Sequence, residues 1–276
     1  MNEKTDIKYL FEPRGVAVIG ASENPEKIGY RIVENIVNSG YPGGIYPINP
    51  KGGEVLGHRI YRDLSEVEGE VDLAVIAIPA KFVLDAVKEC GENGVKHLVI
   101  ITSGFSEVGK RAEERALVET ARKYGMRILG PNIFGIYSAK ASLDATFGPG
   151  GILPGHVAII TQSGALGIAM IGKTAAESLG LSTLVSVGNK SDIDESDLLE
   201  YLADDENTTV ILLYIEGVKG GERLLSVLRR ITRAKHVIVV KSGRSKRGAA
   251  AAASHTGALA GADEVFDALM RQVGVL

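Results

Sequence analysis

The stretch "GVAVIGASENPEKIG" (15–29) decides the fold of this chain. It starts as a short apolar run, turns at Gly20 and continues into a helical pattern from about residue 28. A strand that ends at a glycine and leads into a helix is the first unit of a doubly wound α/β fold. Helix N-termini favour anions, so the loop after this strand is a candidate site for a phosphorylated ligand.

The first half of the chain repeats this alternation of strand and helix. The predicted strands are short, rich in Val and Ile and apolar on both faces, as parallel strands between two helix layers are. They cover residues 15–20, 44–49, 72–78, 97–102 and 127–129. Helical patterns lie between them at about 28–39, 80–92 and 109–124. This βαβαβ order predicts a parallel sheet with right-handed crossovers.

The alternation stops between residues 130 and 155, where Gly and Pro are frequent and no helical period is present. We interpret this segment as a connector. A second series follows, with strands at 156–161, 182–187, 209–215 and 236–241 and helices at 164–179, 195–203, 221–233 and about 257–272. The sequence thus predicts two α/β domains, 1–145 and 146–276. The acidic run "DIDESD" (192–197) predicts a helix start in the second.

Composition and charge exclude several classes of protein. The 276-residue chain has a formal net charge of −3, which argues against a broad basic face for nucleic acid. Cys90 is the single cysteine, so no intrachain disulfide is expected, in keeping with a cytoplasmic location. The charged start "MNEKTDIKYLFEP" does not predict a signal peptide, and no apolar run approaches the roughly 20 residues of a membrane span. No spaced Cys and His residues predict a metal site.

The loop after the first strand departs from the fingerprint of a dinucleotide site. After Gly20 the next glycine is Gly29, so the spacing G-x-G-x-x-G is absent. The second strand ends in "YPINPKGG", where Lys51 stands in place of the acidic residue that binds the ribose hydroxyls of NAD. A cation suits a ribose that carries a phosphate, so NADP or coenzyme A is favoured over NAD. Lys51 is equally consistent with a solvated lysine in a turn, and Gly20 with a simple turn.

A histidine among small residues marks the second half. His255 lies in "GAAAAASHTGALAG" (248–261), where its immediate neighbours leave room around the ring. A neutral imidazole, with an unperturbed pKa of about 6.5, is a nucleophile near pH 7. The pattern predicts a ring that receives a ligand. The alternative is a loop histidine that donates to a main-chain carbonyl.

Two helix starts offer donors for an anion near such a ring. In "TQSGALGIAM" (161–170) a strand leads into a helix at Ser163 and Gly164, and the residues after His255 provide a second start. Glu216 ends the apolar strand of "VILLYIEGVKG". A carboxylate there is suited to hold a histidine in one tautomer, or it is a solvated charge at a strand end.

Several short motifs occur in an order that resembles a known family. They are "VIGAS", "INPK", "AIPA", "ITSGF", "GPN", "TQSGALG", "YIEG" and "SHTGALAG". Over nearly all of its length the chain resembles the α subunit of succinyl-CoA synthetase. It resembles still more the NDP-forming acyl-CoA synthetases, such as the α subunit of ADP-forming acetate–CoA ligase. The resemblance implies a Rossmann-like CoA-binding domain at 1–145 and a flavodoxin-like, doubly wound domain at 146–276 that carries a phosphorylatable histidine.

The resemblance assigns roles to residues of the first domain. The residues implied to border coenzyme A are Gly20, Ala21, Ser22, Lys51, Pro79, Ser103 and Gly104. The first three would lie against the phosphates, and the lysine would meet the adenosine end. The last three would border the pantetheine and the thiol. Asn132, in "GPN", is implied to line the acyl pocket.

The reaction implied by the family is acyl-CoA + phosphate + ADP ⇌ acid + CoA + ATP, with GDP as an alternative to ADP. Phosphate would attack the thioester to give an acyl phosphate, from which His255 takes the phosphoryl group. Glu216 would orient the ring and compensate the charge on the intermediate. The residues implied to bind the phosphate lie at the two helix starts: Ser163, Gly164, Thr256 and Gly257.

The family also implies a partner for this chain. An ATP-grasp module binds ADP or ATP with Mg²⁺, and nothing in the sequence resembles that module or a P-loop. We expect the chain to work with a nucleotide-binding subunit in an α2β2 assembly, or to be a piece of a longer polypeptide. Two other functions stay open. A CoA-binding regulatory module of a protein acyltransferase predicts no phosphohistidine, and an NADP-dependent oxidoreductase leaves the second domain unexplained.

Overall fold

The computed structural model describes residues 7–243 and 263–276, which form two sheets and a hairpin flanked by helices. The strands of the first sheet and the hairpin are β1 (Gly15–Ile19), β2 (Gly44–Ile48), β3 (Gly53–Val55), β4 (His58–Ile60), β5 (Leu73–Ile76), β6 (His97–Ile100) and β7 (Arg127–Leu129). Those of the second sheet are β8 (Gly135–Ser138), β9 (Leu143–Thr146), β10 (Pro154–Thr161), β11 (Leu181–Ser186), β12 (Val210–Ile215) and β13 (His236–Lys241). The α-helices are α1 (Lys8–Phe11), α2 (Ile28–Asn38), α3 (Val83–Glu92), α4 (Arg111–Lys123), α5 (Gly164–Ala176), α6 (Glu195–Ala203), α7 (Gly221–Ile231) and α8 (Asp263–Gln272).

The first sheet is parallel throughout, in the order β2-β1-β5-β6-β7. Helices cover both of its faces, so alternate residues of a strand enter two separate cores. In β1, Val16 and Val18 pack in the core that contains Ile32 of α2. Ala17 and Ile19 pack in the core formed with α3 and α4. The predicted alternation of strand and helix in the first half of the chain is confirmed.

The sequence does not predict the antiparallel hairpin of β3 and β4 that follows β2. Each of its strands has three residues, which is too short for an alternating pattern to appear. The main-chain N–H of Glu54 donates to Glu23 Oε1 at 3.2 Å. The hairpin is therefore held against the loop that follows β1.

The second sheet is mixed, in the order β13-β12-β10-β11-β8-β9. Strands β10 to β13 are parallel, as expected for a flavodoxin-like domain. Strand β8 pairs antiparallel with β11, and β9 pairs antiparallel with β8. The interpretation of residues 130–155 as a connector is therefore wrong. Both strands have four residues and bury the polar side chains of Ser138, Asp144 and Thr146, so no long apolar run announces them.

The two sheets are joined through α2 and β9. Asn35 of α2 is 6% exposed, and its Nδ2 donates to the carbonyls of Thr146 (2.9 Å) and Gly148 (3.1 Å). A helix of the first sheet thus packs directly on a strand of the second. The predicted division of the chain after residue 145 falls inside this strand and stays a prediction.

The helices of the second sheet begin close to where the sequence predicts them. The acidic run forms a capping box at α6, in which the Asp194 side chain accepts from the N–H of Asp197 and the Asp197 carboxylate accepts from the N–H of Asp194. The helix predicted at about 257–272 is described from Asp263 onward. Within the described ranges, no helix is long and apolar enough to cross a membrane.

Candidate functional site

The carboxyl ends of the first-sheet strands bring the residues predicted to bind coenzyme A into one row. From one edge of the sheet to the other, the row consists of Lys51, Gly20–Ser22, Pro79, Ser103–Gly104 and Asn132. Neighbouring strands lie about 4.8 Å apart, so five strand ends span roughly 19 Å. Open α/β sheets bind ligands at this edge. The row is suited to an extended ligand.

Gly20 is required by the close approach of two strand ends. Its φ is +98°, and a Cβ there would lie 2.4 Å from the carbonyl oxygen of Ala77. The N–H groups of Gly20 and Ala21 donate to the carbonyl of Ile48 at 2.9 and 3.2 Å. These two donors are engaged within the fold, and Ser22 carries the first partly exposed side chain of the loop.

Lys51 and Pro79 lie exposed on turns that the fold holds in place. The N–H of Lys51 donates to Asn49 Oδ1 at 3.0 Å, and Asn49 Nδ2 donates to the carbonyl of Ala21 at 2.8 Å. Pro79 precedes the short 3₁₀ turn Ala80–Phe82 at the end of β5. The turn of Lys51 is thereby tied to the loop after β1. An exposed Lys51 on this turn is consistent with both interpretations of the sequence, a cation that binds the ligand and a solvated lysine.

The loop after β6 is shaped by Glu107. Gly104 has a φ of +106°, and its N–H, together with that of Phe105, donates to the Glu107 carboxylate. Asn189 Nδ2 donates to the same carboxylate at 2.6 Å. Burial works to raise the pKa of Glu107, but the hydrogen bonds, that from Asn189 first, outweigh it and hold this pKa below its usual range. Ser103 lies exposed beside this arrangement.

Asn132 lies where the two sheets meet. It follows a cis proline, Pro131, and has a φ of +64°. Its Nδ2 donates to Asn189 Oδ1 at 3.3 Å. A Cβ on Gly188 would lie 2.4 Å from the carbonyl oxygen of Pro131, so the main chains approach too closely there for any other residue. The loop after β7 is therefore packed directly on the loop after β11.

Ser163 precedes α5, as predicted, and caps it. Its Oγ accepts from the N–H of Leu166 at 3.3 Å, and its own N–H donates to Thr161 Oγ1 at 3.1 Å. The first turn of the helix begins at Gly164, directly after the carboxyl end of β10. A helix N-terminus in this position favours an anion.

Glu216 is held beside this helix start through Gln162. The side-chain Oε1 of Gln162 accepts from the N–H of Glu216 at 2.6 Å and from the N–H of Gly217 at 3.0 Å. Strands β10 and β12 are neighbours in the sheet. The segments that carry Ser163 and Glu216 therefore lie side by side at the same edge.

Two lysines cross-link the loop of Glu216 to the loop after β11. Lys190 is 4% exposed, and its Nζ donates to the carbonyl of Gly217 at 2.5 Å and to Glu195 Oε1 at 3.1 Å. Lys219 Nζ donates to the carbonyls of Asn189 (2.9 Å) and Lys190 (2.8 Å). Burial lowers the pKa of Lys219. Each loop thus supplies the ammonium group that binds the main chain of the other.

A cleft of about 760 Å³ lies between the two sheets at these loops. Asn132 from the first half of the chain and Glu216 from the second both line it. Its polar lining also includes Glu107, Glu114, Gln162, Asn189, Lys190 and Lys219. The cleft therefore combines the acyl-side end of the row with the carboxylate expected to orient a histidine.

His255 and two of the predicted phosphate ligands, Thr256 and Gly257, lie outside the described residues. The structure brings together Asn132 and Glu216, and it places the Ser163 helix start next to the latter through Gln162. The site assignment as a whole stays a prediction.

Sequence reasoning missed most of the polar residues that line the cleft, among them Gln162, Asn189 and Lys190. These three lie in "TQSGALG" or "VSVGNKSD", which are junctions between a strand and a glycine. In an open α/β sheet such junctions meet at the ligand edge, so the signal was present in the pattern. A lysine with 4% exposure was not expected, because lysine is almost never fully buried unless it is paired.

Comparison with known families identifies the class of protein. Residues 14–139 match the family described as "CoA binding domain". Residues 154–276 match the family described as "Succinyl-CoA ligase like flavodoxin domain". The fold, the row of loops and these two matches together define a protein of the CoA-ligase class.

Individual relatives show which proteins of this class the chain is similar to. The α subunit of ADP-forming acetate–CoA ligase I from Pyrococcus furiosus is 56% identical over 276 residues, covering 98% of this chain and 60% of the relative. The ADP-forming acetate–CoA ligase of Methanocaldococcus jannaschii is 45% identical, covering 98% and 38%. A solved structure, dinucleotide-forming acetyl-coenzyme A synthetase 1 of Ca. Korarchaeum cryptofilum in complex with phosphate and ADP, matches with a TM-score of 0.96 at 48% identity, covering 99% and 59%.

These findings settle the family. The chain belongs to the family of the ADP-forming acyl-CoA synthetases. It spans about 60% of the length of the curated α subunit that it matches. The resemblance on which the sequence analysis relied is confirmed, as is the expected order of a CoA-binding domain and a flavodoxin-like domain.

Proposed function

We propose that the protein is an acyl-CoA synthetase that converts acyl-CoA, phosphate and ADP reversibly to the free acid, CoA and ATP. The observation that carries this proposal is the shared cleft. Asn132, from the row expected to bind CoA, and Glu216, from the loop expected to orient a histidine, line it together. A relative that is 56% identical bears the name of an acetate–CoA ligase, which supports a small acid such as acetate as the substrate.

Coenzyme A, in this proposal, lies along the row of loops at the carboxyl edge of the first sheet. Its adenosine end meets Lys51, and its phosphates lie against Gly20–Ser22. The pantetheine passes Pro79 and Ser103–Gly104, so that the thioester reaches Asn132. The match to a CoA-binding family covers every member of this row, which supports the assignment.

The proposed chemistry takes place where the row meets the second sheet. An oxygen of phosphate, held by Ser163–Gly164 and Thr256–Gly257, attacks the thioester carbonyl carbon. The C–S bond breaks, CoA leaves as its thiolate, and an acyl phosphate forms. A ring nitrogen of His255 then attacks the phosphorus, the P–O bond to the acyl group breaks, and the carboxylate leaves. Glu216 accepts a hydrogen bond from the other ring nitrogen, which fixes the tautomer.

The nucleotide is assigned to a partner. Transfer of the phosphoryl group from His255 to ADP depends mainly on positioning and charge stabilisation, and we assign ADP or ATP with its Mg²⁺ to an ATP-grasp subunit or domain in an α2β2 assembly. In the part of the chain that the structure describes, no group of three or more His, Cys, Asp or Glu side chains is placed to hold a metal ion. A cytoplasmic location belongs to the same proposal.

Phosphohistidine formation tests the proposal. The whole protein, with its partner, is incubated with acetyl-CoA and radiolabelled phosphate. We expect an acid-labile, alkali-stable label on the chain that His255→Ala abolishes and that ADP discharges. Label that persists in His255→Ala contradicts the role of this residue. Calorimetric binding of CoA without any label would favour the regulatory module, and binding of NADPH without CoA would favour the oxidoreductase.

A further inference from the structure

Gln162 binds both peptide groups that flank the Cα of Glu216. Its Oε1 accepts from the N–H of Glu216 at 2.6 Å and from the N–H of Gly217 at 3.0 Å. The main-chain N–H of Gln162 donates in addition to the carbonyl of Tyr214 at 3.2 Å. One oxygen that receives two successive N–H groups restricts the φ and ψ of the residue between them. The direction of the Cα–Cβ bond of Glu216 is thereby set.

The peptide group that contains the carbonyl of Gly217 is bound by a second side chain. Lys190, buried and paired with Glu195, donates to the carbonyl of Gly217. Gln162 and Lys190 thus bind four main-chain atoms of residues 214–217, and the N–H of Ser242 donates in addition to the carbonyl of Ile215 at 2.9 Å. Glu216 itself lines the open cleft. The main chain that carries Glu216 is therefore held by several hydrogen bonds where this residue borders the cleft.

We propose that Gln162 is a positioning residue for Glu216. It acts by fixing the main chain from which the carboxylate projects, and this inference rests on the proposed function, in which Glu216 orients the phosphoryl-accepting histidine. A group with that task has to be held within about 0.5 Å of its productive geometry. A misplacement of about 1 Å is enough to cost roughly 100-fold in rate.

The test is a cycle of Gln162→Met, Glu216→Gln and the double variant in the whole protein with its partner. Met has the length of Gln but no strong acceptor. We expect Gln162→Met to lower kcat for ATP formation from acetyl-CoA, phosphate and ADP by about 10- to 100-fold. The KM for acetyl-CoA should stay within about twofold, because the hydrogen bonds of this side chain in the described part of the chain go to Glu216 and Gly217. Gln272→Met, at the exposed end of α8, is the matched control and should leave both unchanged.

The double variant separates positioning from direct contact with substrate. If Gln162 acts through Glu216, Gln162→Met has no further effect in the Glu216→Gln background. The same loss in both backgrounds would show that Gln162 acts elsewhere, for instance on the phosphate. A slow Glu216→Gln with a fully active Gln162→Met overturns this inference alone. A fully active Glu216→Gln overturns the proposed role of the carboxylate, and this inference with it.

A second variant, Gln162→Ser, is used if Gln162→Met does not fold. If Gln162→Met does not give a folded protein by circular dichroism and Kd for CoA, Gln162→Ser is measured in the same way. Its short side chain leaves room for a water molecule to accept from both N–H groups, so the fold is retained. Because that water is not covalently held, the loss in kcat should remain, and wild-type kcat in Gln162→Ser would contradict the inference.

Discussion

The side-chain amide of Asn189 donates to the Glu107 carboxylate at 2.6 Å, and this bond joins the loop after β11 to the loop after β6. The same nitrogen donates to Glu114 Oε2 at 2.7 Å. Glu107 also holds the N–H of Gly104, and the Asn189 carbonyl receives Lys219 from the loop of Glu216. One asparagine therefore connects the CoA-side loop with the carboxylate loop. The cleft is formed by contacts between the two sheets.

Removal of this connection should destabilise the fold. We expect Asn189→Ala to lower the free energy of unfolding by about 1–3 kcal/mol, because two partly buried carboxylates lose a donor. Asn189→Asp should cost more, since it places a third carboxylate beside them. Urea denaturation measures both. Asn93→Ala is the control: its exposed side chain donates to a carbonyl of its own helix, and its loss should stay within about 0.5 kcal/mol. Equal losses for Asn93→Ala and Asn189→Ala would contradict the prediction.

The Asp192 carboxylate pairs with two arginines that differ in exposure. Arg127 Nε lies 2.7 Å from it and is 16% exposed, whereas Arg122 Nη2 lies 3.0 Å from it and is 65% exposed. Arg127→Met leaves a carboxylate that is 3% exposed with a weakly held partner, and we expect a loss of about 2–4 kcal/mol. Arg122→Met should cost at most about 1 kcal/mol. Chemical denaturation that gives the reverse order would show that burial does not decide the strength of these pairs.

Asp144 predicts a pH-dependent stability. Burial raises its pKa to about 6, against a lowering effect of the Thr146 hydroxyl and N–H. A carboxyl whose pKa is higher in the folded state binds more protons there, so its contribution to stability falls as pH rises from about 4 to 6. We expect Asp144→Asn to be more stable than wild type at pH 7 by up to about 3 kcal/mol, and equal to it near pH 4. Denaturation at the two pH values checks this, and a difference that is constant with pH would refute it.

Strands could be predicted from the sequence wherever both of their faces are buried, because such strands are continuous apolar runs. Strand β1 of the first sheet is of this kind, because every one of its residues is buried. Strands β8 and β9 could not be predicted, since their polar residues are buried by partners distant in sequence. Thr146, for example, meets Asn35 of α2.

Residues of the candidate site could be predicted only where a polar side chain stands at the end of a predicted strand. Glu216 and Ser163 stand at strand ends, and their position follows from the alternation of strands and helices. The strand-end pattern also places Gln162 and Lys190 at this edge, but it does not predict which main-chain groups of another loop they bind. The pairing of Lys190 with Glu195, which makes its burial tolerable, appears only once the loop after β11 has its observed path.

Lys51 tests the proposed direction of coenzyme A along the row. We expect Lys51→Ala to raise the Kd for CoA by about 10-fold, because a charge-assisted contact to phosphate is worth about 1.5 kcal/mol. With dephospho-CoA, which has no phosphate on the ribose, the same substitution should change Kd by less than about twofold. Calorimetry with both ligands measures this. Lys88→Ala, on the exposed face of α3, is the control. Equal effects of Lys51→Ala on the two ligands would place the lysine elsewhere on the ligand.

The decisive measurement is the single-turnover rate at which label from phosphate appears on the chain in the presence of acetyl-CoA, compared between wild type and Glu216→Gln. We expect the variant to be slower by about 100-fold or more, because the amide cannot hold the imidazole in the same tautomer and does not compensate its charge. Glu222→Gln, at the exposed start of α7, should match wild type, and the Kd for CoA should be equal in all three proteins. A Glu216→Gln variant that is labelled as fast as wild type would contradict the assignment of this cleft as the site of phosphoryl transfer.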